Sequence, residues 1–193
     1  GHGGGTGTST YNRGVMVEQG GLLTATGAGT VTVTGTGGNG SGDWNHGMSL
    51  SGANSQITSA GGDVTVTGQG GGTGASGNNH AFKIATGGVI SSTSSGNVNV
   101  IGTGGASTGD EHYGVLVGQA GSMITSSGGD VTVTGQGGGS GTSSVNIGVV
   151  VSGAARVAAG GNGTTRLNGT GGLTDGSTNH GISLWHENTI VTS

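Results

Sequence analysis

Apolar and polar residues alternate in short runs that recur every 33 or 34 residues along the 193-residue chain. Repeats two apart are the most alike, since ITSAGGDVTVTGQGGGTG at 57–74 returns as ITSSGGDVTVTGQGGGSG at 124–141. A fixed period of this length is typical of proteins that stack one supersecondary unit many times. The repeats begin at Tyr11, Trp44, Asn78, Glu111, Val145 and Thr178.

Each repeat carries three apolar segments that predict short β-strands. The first has two apolar columns on either side of a mixed one, which is the period-two pattern of a strand with one buried face. These two columns are Val15, Met48, Phe82, Val115, Val149 and Ile182, and Val17, Leu50, Ile84, Val117, Val151 and Leu184. The second segment is marked by Leu23, Ile57, Ile90, Ile124 and Val157, and the third begins at Val31, Val64, Val98, Val131 and Thr165.

These segments predict an all-β protein, a parallel β-solenoid of about six coils with three short strands per coil. One repeat alone cannot bury enough apolar surface to offset the entropy lost on ordering it. Stacked coils share a core and pair their strand edges with the coils on either side. Two small coils per repeat is the alternative, but the halves of each repeat are dissimilar, which favours one coil. We therefore treat 1–193 as a single repeat domain, with five full repeats and a truncated sixth.

Two further columns fit parallel stacking in register. An asparagine column is interrupted once, by His112, and identical amides in register can hydrogen-bond from coil to coil. Two residues later comes a column of small residues, where we expect the backbone to turn tightly. The asparagine column is Asn12, Asn45, Asn79, Asn146 and Asn179, and the small-residue column is Gly14, Gly47, Ala81, Gly114, Gly148 and Gly181.

The composition removes several classes of protein. The chain has 52 Gly without a G-X-Y period and has no Pro, which excludes a collagen triple helix. The absence of Cys excludes disulfides, thiolate metal sites and thiol nucleophiles. Four scattered Lys and Arg residues argue against a nucleic-acid partner. No apolar run approaches the roughly 20 residues of a membrane span. The opening GHGGGTGTST lacks the features of a secretory signal, but it begins with Gly rather than Met, so a signal that was removed or that lies upstream stays open.

The segment NHGMSLSGANSQITSAGGDVTVTGQGGG, at 45–72, resembles the Gly/Thr-rich repeats of bacterial filamentous-haemagglutinin and autotransporter-passenger proteins. The resemblance extends over almost the whole chain through its G-V-x-V, I-T-S and G-G-D-V-T-V-T-G segments. It implies a right-handed parallel β-helix that is secreted and displayed at the cell surface as a stalk, fibre or adhesin. It carries over no catalytic residue, because the repeats contain none to match.

Histidines and aspartates are the candidate metal ligands. His46, His80 and His180 share a column with Arg13, Tyr113 and Ile147, and the interruptions favour a solvent-facing shoulder over a transition-metal site. Turn aspartates usually cap local backbone N–H groups. We therefore predict no cofactor, with calcium as the open alternative, because the loops before two of the aspartates add carbonyl oxygens. The calcium candidates are Asp43, Asp63, Asp110 and Asp130.

Catalysis and ligand binding have few candidates. Glycoside cleavage needs two opposed carboxyl groups, and neither Asp110 with Glu111 nor Glu187 beside His186 has a second acidic partner at a defined place. We predict no enzyme. Glycan binding is less demanding, and Tyr11, Trp44 and Trp185 are possible stacking faces.

The T-x-T pairs of the third strand are predicted to point outward. A flat threonine array also suggests an ice-binding surface, although high β-propensity on a polar face explains Thr equally well. The array contains Thr32/Thr34, Thr65/Thr67 and Thr132/Thr134, and it is broken at Asn99/Ile101 and Arg166/Asn168. Glycosylation sequons at Asn39, Asn162 and Asn168 lie in Asn-Gly pairs that turns produce anyway.

The two ends of the chain resemble segments inside it, GQGGGTGASG at 68–77 and ITS at 57–59. Joined head to tail, two copies nearly continue the repeat, so we expect either a segment of a longer repeat protein or end-to-end self-association. The sequence thus favours a structural extracellular solenoid that builds a fibre, stalk or surface layer, with adhesion to surface glycans as an associated role. The alternative is a β-helix that binds or cleaves polysaccharide.

Overall fold

The computed structural model describes residues 1–193 and contains strands but no helix. Each repeat forms one coil, numbered 1 to 6 from the repeat starts given above. The strands are β1 Val15–Glu18, β2 Leu22–Ala25, β3 Val31–Thr36, β4 Met48–Ser51, β5 Gln56–Ser59, β6 Val64–Gln69, β7 Phe82–Ala85, β8 Val89–Ser92, β9 Val98–Thr103, β10 Val115–Gly118, β11 Met123–Ser126, β12 Val131–Gln136, β13 Val149–Ser152, β14 Arg156–Ala159, β15 Thr165–Thr170, β16 Ile182–Trp185 and β17 Ile190–Thr192.

The strands form three parallel sheets that wrap around one core. Sheet 1 runs β1-β4-β7-β10-β13-β16, sheet 2 runs β2-β5-β8-β11-β14-β17, and sheet 3 runs β3-β6-β9-β12-β15. Every strand therefore pairs with its counterpart one coil away, which confirms the predicted β-solenoid with three strands per coil and one coil per repeat. Five coils are complete, and coil 6 contributes its first two strands.

The core lies between the three sheets and is built from the predicted apolar columns. The first columns pair directly, Val15 with Met48, Met48 with Phe82 and Phe82 with Val115. Leu23 and Ile57 also lie side by side, although they are 34 residues apart where the first columns are 33 apart. The turn between β4 and β5 holds one residue more than the turn between β1 and β2, and this difference keeps the second strands in register.

The start of every coil has an unusual backbone conformation that the sequence did not indicate. All six residues lie in the left-handed region, although they include Trp, Glu, Thr and a β-branched Val, which rarely adopt it. The φ angles are 57° at Tyr11, 63° at Trp44, 55° at Asn78, 63° at Glu111, 60° at Val145 and 62° at Thr178. Inter-coil hydrogen bonds hold these residues, since Tyr11 N–H donates to the Asp43 carbonyl at 3.0 Å and Val145 N–H to that of Ser177 at 2.8 Å.

The small-residue column has a different cause from the one that we expected. Its glycines do not have positive φ, so the tight turn lies three residues earlier, at the coil start. A Cβ atom at Gly47 would lie 2.7 Å from the backbone nitrogen of Gln69. The column is therefore small because sheets 1 and 3 approach each other closely at this corner.

Candidate functional site: axial ladders and surface columns

The asparagine column forms a hydrogen-bonded ladder parallel to the solenoid axis. The Nδ2 of Asn12 donates to Oδ1 of Asn45 at 2.6 Å, and the Nδ2 of Asn45 donates to Oδ1 of Asn79 at 3.2 Å. The same contact joins Asn146 to Asn179 at 3.1 Å. Each acceptor oxygen also receives a backbone N–H from the previous coil, as when Asn45 N–H donates to Asn79 at 2.9 Å. The ladder satisfies polar groups that are otherwise sealed inside the turn.

His112 occupies the asparagine position in coil 4 and reproduces part of its bonding. Its Nδ1 accepts the backbone N–H of Asn79 at 3.3 Å, where the other coils use an amide oxygen. Its own N–H donates to Oδ1 of Asn146 at 3.1 Å. The amide-to-amide contact is lost here, because the Nδ2 of Asn79 turns to Ser76 and Ser107. The interruption seen in the sequence is thus a substitution of one acceptor for another.

A row of buried hydroxyl groups beside this ladder was missed by the sequence analysis. Ser76 donates to the Gly42 carbonyl at 2.7 Å, Ser107 to that of Ser76 at 2.8 Å, and Ser143 to that of Gly109. Each bond joins one coil to the preceding one. The sequence gives little signal for the row, because Ser76, Ser107 and Ser143 are unequally spaced and Ser is abundant in the loops.

The four calcium candidates act as clamps between coils. Oδ1 of Asp43 accepts the N–H of Gly77, Oδ1 of Asp63 that of Asn97, and Oδ1 of Asp110 that of Ser144, each at 2.7 Å. Asp130 makes the same bond to Thr164 at 2.7 Å. The structure does not gather them, since no three His, Asp or Glu side chains form a group that could hold a metal ion. The capping role extends beyond the local turn that we predicted, because the capped N–H belongs to the next coil.

The histidine column is buried, so the expected solvent-facing shoulder is wrong for coils 2 and 3. His46 is fully buried and His80 is 3% exposed, and the two rings stack at 4.9 Å between centroids. Tyr113 continues the stack at 4.5 Å from His80. Tyr113 and Ile147 of this column pack against Leu116 and Val150 from the outer face of sheet 1, and Arg13 pairs with Glu18 at 2.9 Å.

Burial sets the protonation state of these rings. Desolvation, assisted by the charges of Lys83 and Arg13, lowers the pKa of His46 to about 3. Desolvation also lowers the pKa of His80 well below its usual value, and it raises the pKa of Tyr113 to about 12. Both ring nitrogens of His46 are buried without a hydrogen-bond partner. The stack is therefore neutral at pH 7.

The stack does not have the geometry of a metal site. A zinc-type ion lies in the plane of each ligating imidazole, about 2.1 Å from the nitrogen. The His46 and His80 rings are within 11° of parallel, so their planes do not meet near one ion. His180, the third histidine of the column, stands in coil 6 with Tyr113 and Ile147 in the coils between.

The aromatic candidates do not form an open platform. Tyr11 and Trp44 stack on each other at 4.8 Å, which covers one face of each ring, and Arg13 lies 5.3 Å from the centre of the Tyr11 ring. Trp185 is at the end of β16 in coil 6. The three rings therefore do not act together on one ligand.

The outer face of sheet 3 carries the predicted threonine array. Thr65 pairs with Asn99 and Asn99 with Thr132, so these side chains form one row across three coils. Asp63, Asn97 and Asp130 form the row beside it, and together the two rows line a shallow depression of about 440 Å³. Ile101, 39% exposed, interrupts the next threonine row. Asn39, Asn162 and Asn168 of the sequons are exposed.

The remaining acidic candidates stay apart. Glu111 begins coil 4, and the neighbouring Asp110 accepts the backbone N–H of Ser144. His186 and Glu187 lie in the exposed turn between β16 and β17. Neither pair gains an opposed carboxyl group from the fold.

Comparison with protein-family models, curated proteins and solved structures finds no match for this chain. The chain also has no helix of the length and apolar character needed to cross a membrane.

Proposed function

We propose that the chain is a structural, extracellular β-solenoid that serves as a rigid part of a fibre, stalk or surface layer, with adhesion as an associated role. The observation that supports this proposal is the bonding between coils. All 14 strand pairs are parallel, and polar ladders add further bonds at the corners. Bending such a rod stretches hydrogen bonds on one side of every coil, so the stack resists bending as a unit.

The proposal includes end-to-end association through the coils. Side chains that are buried in the middle coils are exposed in the outer ones, where Leu184 is 50% exposed and Leu23 38%. Such surfaces fit a further coil, contributed by a second copy or by a longer chain.

Electron microscopy at neutral pH, with and without a calcium chelator, tests the association. We expect fibres in both conditions, with a subunit repeat of about 30 Å for six coils at roughly 4.8 Å each. Leu184→Lys should prevent them. Leu173→Lys is the matched control, since Leu173 is 91% exposed in a loop away from the strand edges. Isolated particles for the unmodified chain would refute end-to-end association.

Polysaccharide binding is a second candidate, because two aspartates share the depression on sheet 3. A hydrogen bond from a backbone N–H to Oδ1 holds each of Asp63, Asn97 and Asp130 in place. The Oδ2 atom of each aspartate and the Nδ2 atom of Asn97 are therefore left to bind a ligand. Fixed acceptors and donors of this kind suit the hydroxyl groups of a neutral glycan. The aspartates are two coils apart, about 9.6 Å, too far to share one calcium ion with Ca–O bonds of about 2.4 Å.

Titration of neutral and acidic hexasaccharides, cellohexaose and hexagalacturonate, followed by amide NMR, tests this candidate. The expected result is shifts at 97–99 and 130–132 with the neutral sugar. The double change Asp63→Asn and Asp130→Asn should weaken binding while the fold persists, because Asn97 makes the same clamp. Absence of shifts with the neutral sugar, or equal binding by the variant, would exclude the site.

A further inference from the structure

The boundary between coils 3 and 4 is bonded differently from its neighbours. At the adjoining boundaries, the backbone N–H in the asparagine column donates to an amide oxygen. Asn45 N–H does so to Asn79 at 2.9 Å, and His112 N–H to Asn146 at 3.1 Å. An amide oxygen keeps its acceptor role at any physiological pH. The coil 3–4 boundary uses imidazole nitrogens instead.

Two histidines accept backbone N–H groups across this boundary in opposite directions. Nδ1 of His112, in coil 4, accepts from Asn79 of coil 3 at 3.3 Å. Nδ1 of His80, in coil 3, accepts from Tyr113 of coil 4 at 3.2 Å. Both contacts are buried. An imidazole accepts at Nδ1 only when its proton is on Nε2, so both rings must be neutral Nε2–H tautomers.

Protonation would convert both acceptors into donors. Each Nδ1–H would then face a backbone N–H, and the two buried donors would have no acceptor between them. The His80 ring has little room to turn away, because it is held between His46 at 4.9 Å and Tyr113 at 4.5 Å. A proton on either histidine therefore destabilises the contact between coils 3 and 4.

The charges around the two rings have opposing effects. Burial is the largest cause of the lowered pKa at both histidines. The charges of His46, Lys83 and His112 lower the pKa of His80 further. At His112, backbone hydrogen bonds to Gly109 and Ser107 and the charges of Asp110 and Asp43 partly offset the effect of burial. Glu111 also acts at His80, through a backbone hydrogen bond that favours the charged ring.

We propose that the coil 3–4 boundary is an acid-sensitive seam, at which protonation of His80 and His112 separates coils 1–3 from coils 4–6. At neutral pH the seam is closed and the rod is continuous. As the pH falls below the ordinary histidine value of 6.5, the opened seam binds protons that the closed one excludes. This inference goes beyond the structural role proposed above, because it gives the rod a defined point of release in acid.

The ring tautomers are the first test, and they need no variant. Long-range proton–nitrogen NMR spectra at pH 7.5 should show His80 and His112 protonated at Nε2 and bare at Nδ1. A proton on Nδ1 of both rings would overturn the proposal.

Hydrogen exchange at pH 7 and pH 4.5 is the second test. Opening that exposes one histidine to its ordinary pKa lowers the protection factor by roughly 100-fold at pH 4.5, two units below 6.5. We expect the N–H groups of Asn79 and Tyr113 to lose at least this factor, and those of Asn45 and Asn146 to lose less than ten-fold. Equal losses at all four positions would refute a local seam.

His112→Asn is the matched variant, because asparagine fills this position in the other coils. The loss of protection at Tyr113 in acid should become at least ten-fold smaller, since one of the two titrating groups is gone. His2→Gln is the control, because His2 is exposed and Gln69 and Gln136 occupy the equivalent place in coils 2 and 4. A loss in His112→Asn as large as in the unmodified chain would exclude His112 from the seam.

Discussion

The asparagine ladder makes a quantitative prediction at Asn45, which is fully buried at the boundary between coils 1 and 2. Alanine at this position removes two bonds from Asn12, at 2.6 and 3.3 Å, and the donation to the Gly42 carbonyl at 2.6 Å. It also removes the bonds to Asn79 and Ser76, both at 3.2 Å. The Asn12 N–H is left without an acceptor, whereas the Gly42 carbonyl keeps the Ser76 hydroxyl.

The cost follows from these contacts. An orphaned buried N–H costs about 1–3 kcal/mol, and the lower end of this range applies to the partly buried Asn12 N–H. Each lost hydrogen bond costs about 1 kcal/mol net. Partial relaxation reduces the sum, so we expect Asn45→Ala to lower the free energy of unfolding by about 3 kcal/mol. With a urea dependence of about 3 kcal/mol per molar, the midpoint falls by about 1 M.

Urea unfolding monitored by circular dichroism and by tryptophan fluorescence measures this change. Asn39→Ala is the control, because Asn39 is an exposed loop residue whose side chain makes no hydrogen bond, and we expect a change within about 0.5 kcal/mol. If the two variants unfold within 0.5 kcal/mol of each other, the ladder does not stabilise the stack and the reasoning fails.

Three further predictions concern the histidine stack, a corner and a coil start. The depressed pKa of His46 means that its contribution is complete above pH 6.5 and is lost as the pH falls toward 3. Relative to the unmodified chain, the free energy of unfolding of His46→Phe should therefore rise by about 3 kcal/mol between pH 7.5 and pH 4.5 in urea titrations, and an equal pH dependence of the two proteins would contradict this expectation. Gly135→Ala should lower the free energy of unfolding by about 3 kcal/mol or more, because the added Cβ would meet the backbone carbonyl of Gly148. Gly4→Ala is the control in the same thermal unfolding assay, and it should be nearly neutral because the space around Gly4 is open. Val145→Asn should raise stability by about 1 kcal/mol by relieving a left-handed valine, and a loss in the same assay would show that its packing matters more.

The sequence by itself determined the coil, its three strands and the rows that run along it. Parallel stacking in register places equal positions of successive repeats side by side, so a column in the sequence becomes a row in space. Val15 and Met48, or Asn12 and Asn45, are neighbours for this reason alone. Period-two alternation then decides which rows face the core, as the outward threonines of sheet 3 illustrate.

Only the tertiary structure decided what surrounds each row. The histidine column has a mixed composition typical of a surface, yet His46 and His80 are buried, and Tyr113 and Ile147 of the same column pack against Leu116 and Val150 of sheet 1. The aspartates resemble local turn caps, yet each binds an N–H in the next coil, since the loop path sets the direction of that N–H. Val145 adopts a left-handed conformation that its type disfavours, because hydrogen bonds to the adjacent coil outweigh the local preference. A periodic sequence fixes which residues are neighbours along the axis, whereas burial and hydrogen-bond direction depend on how the backbone turns between the strands.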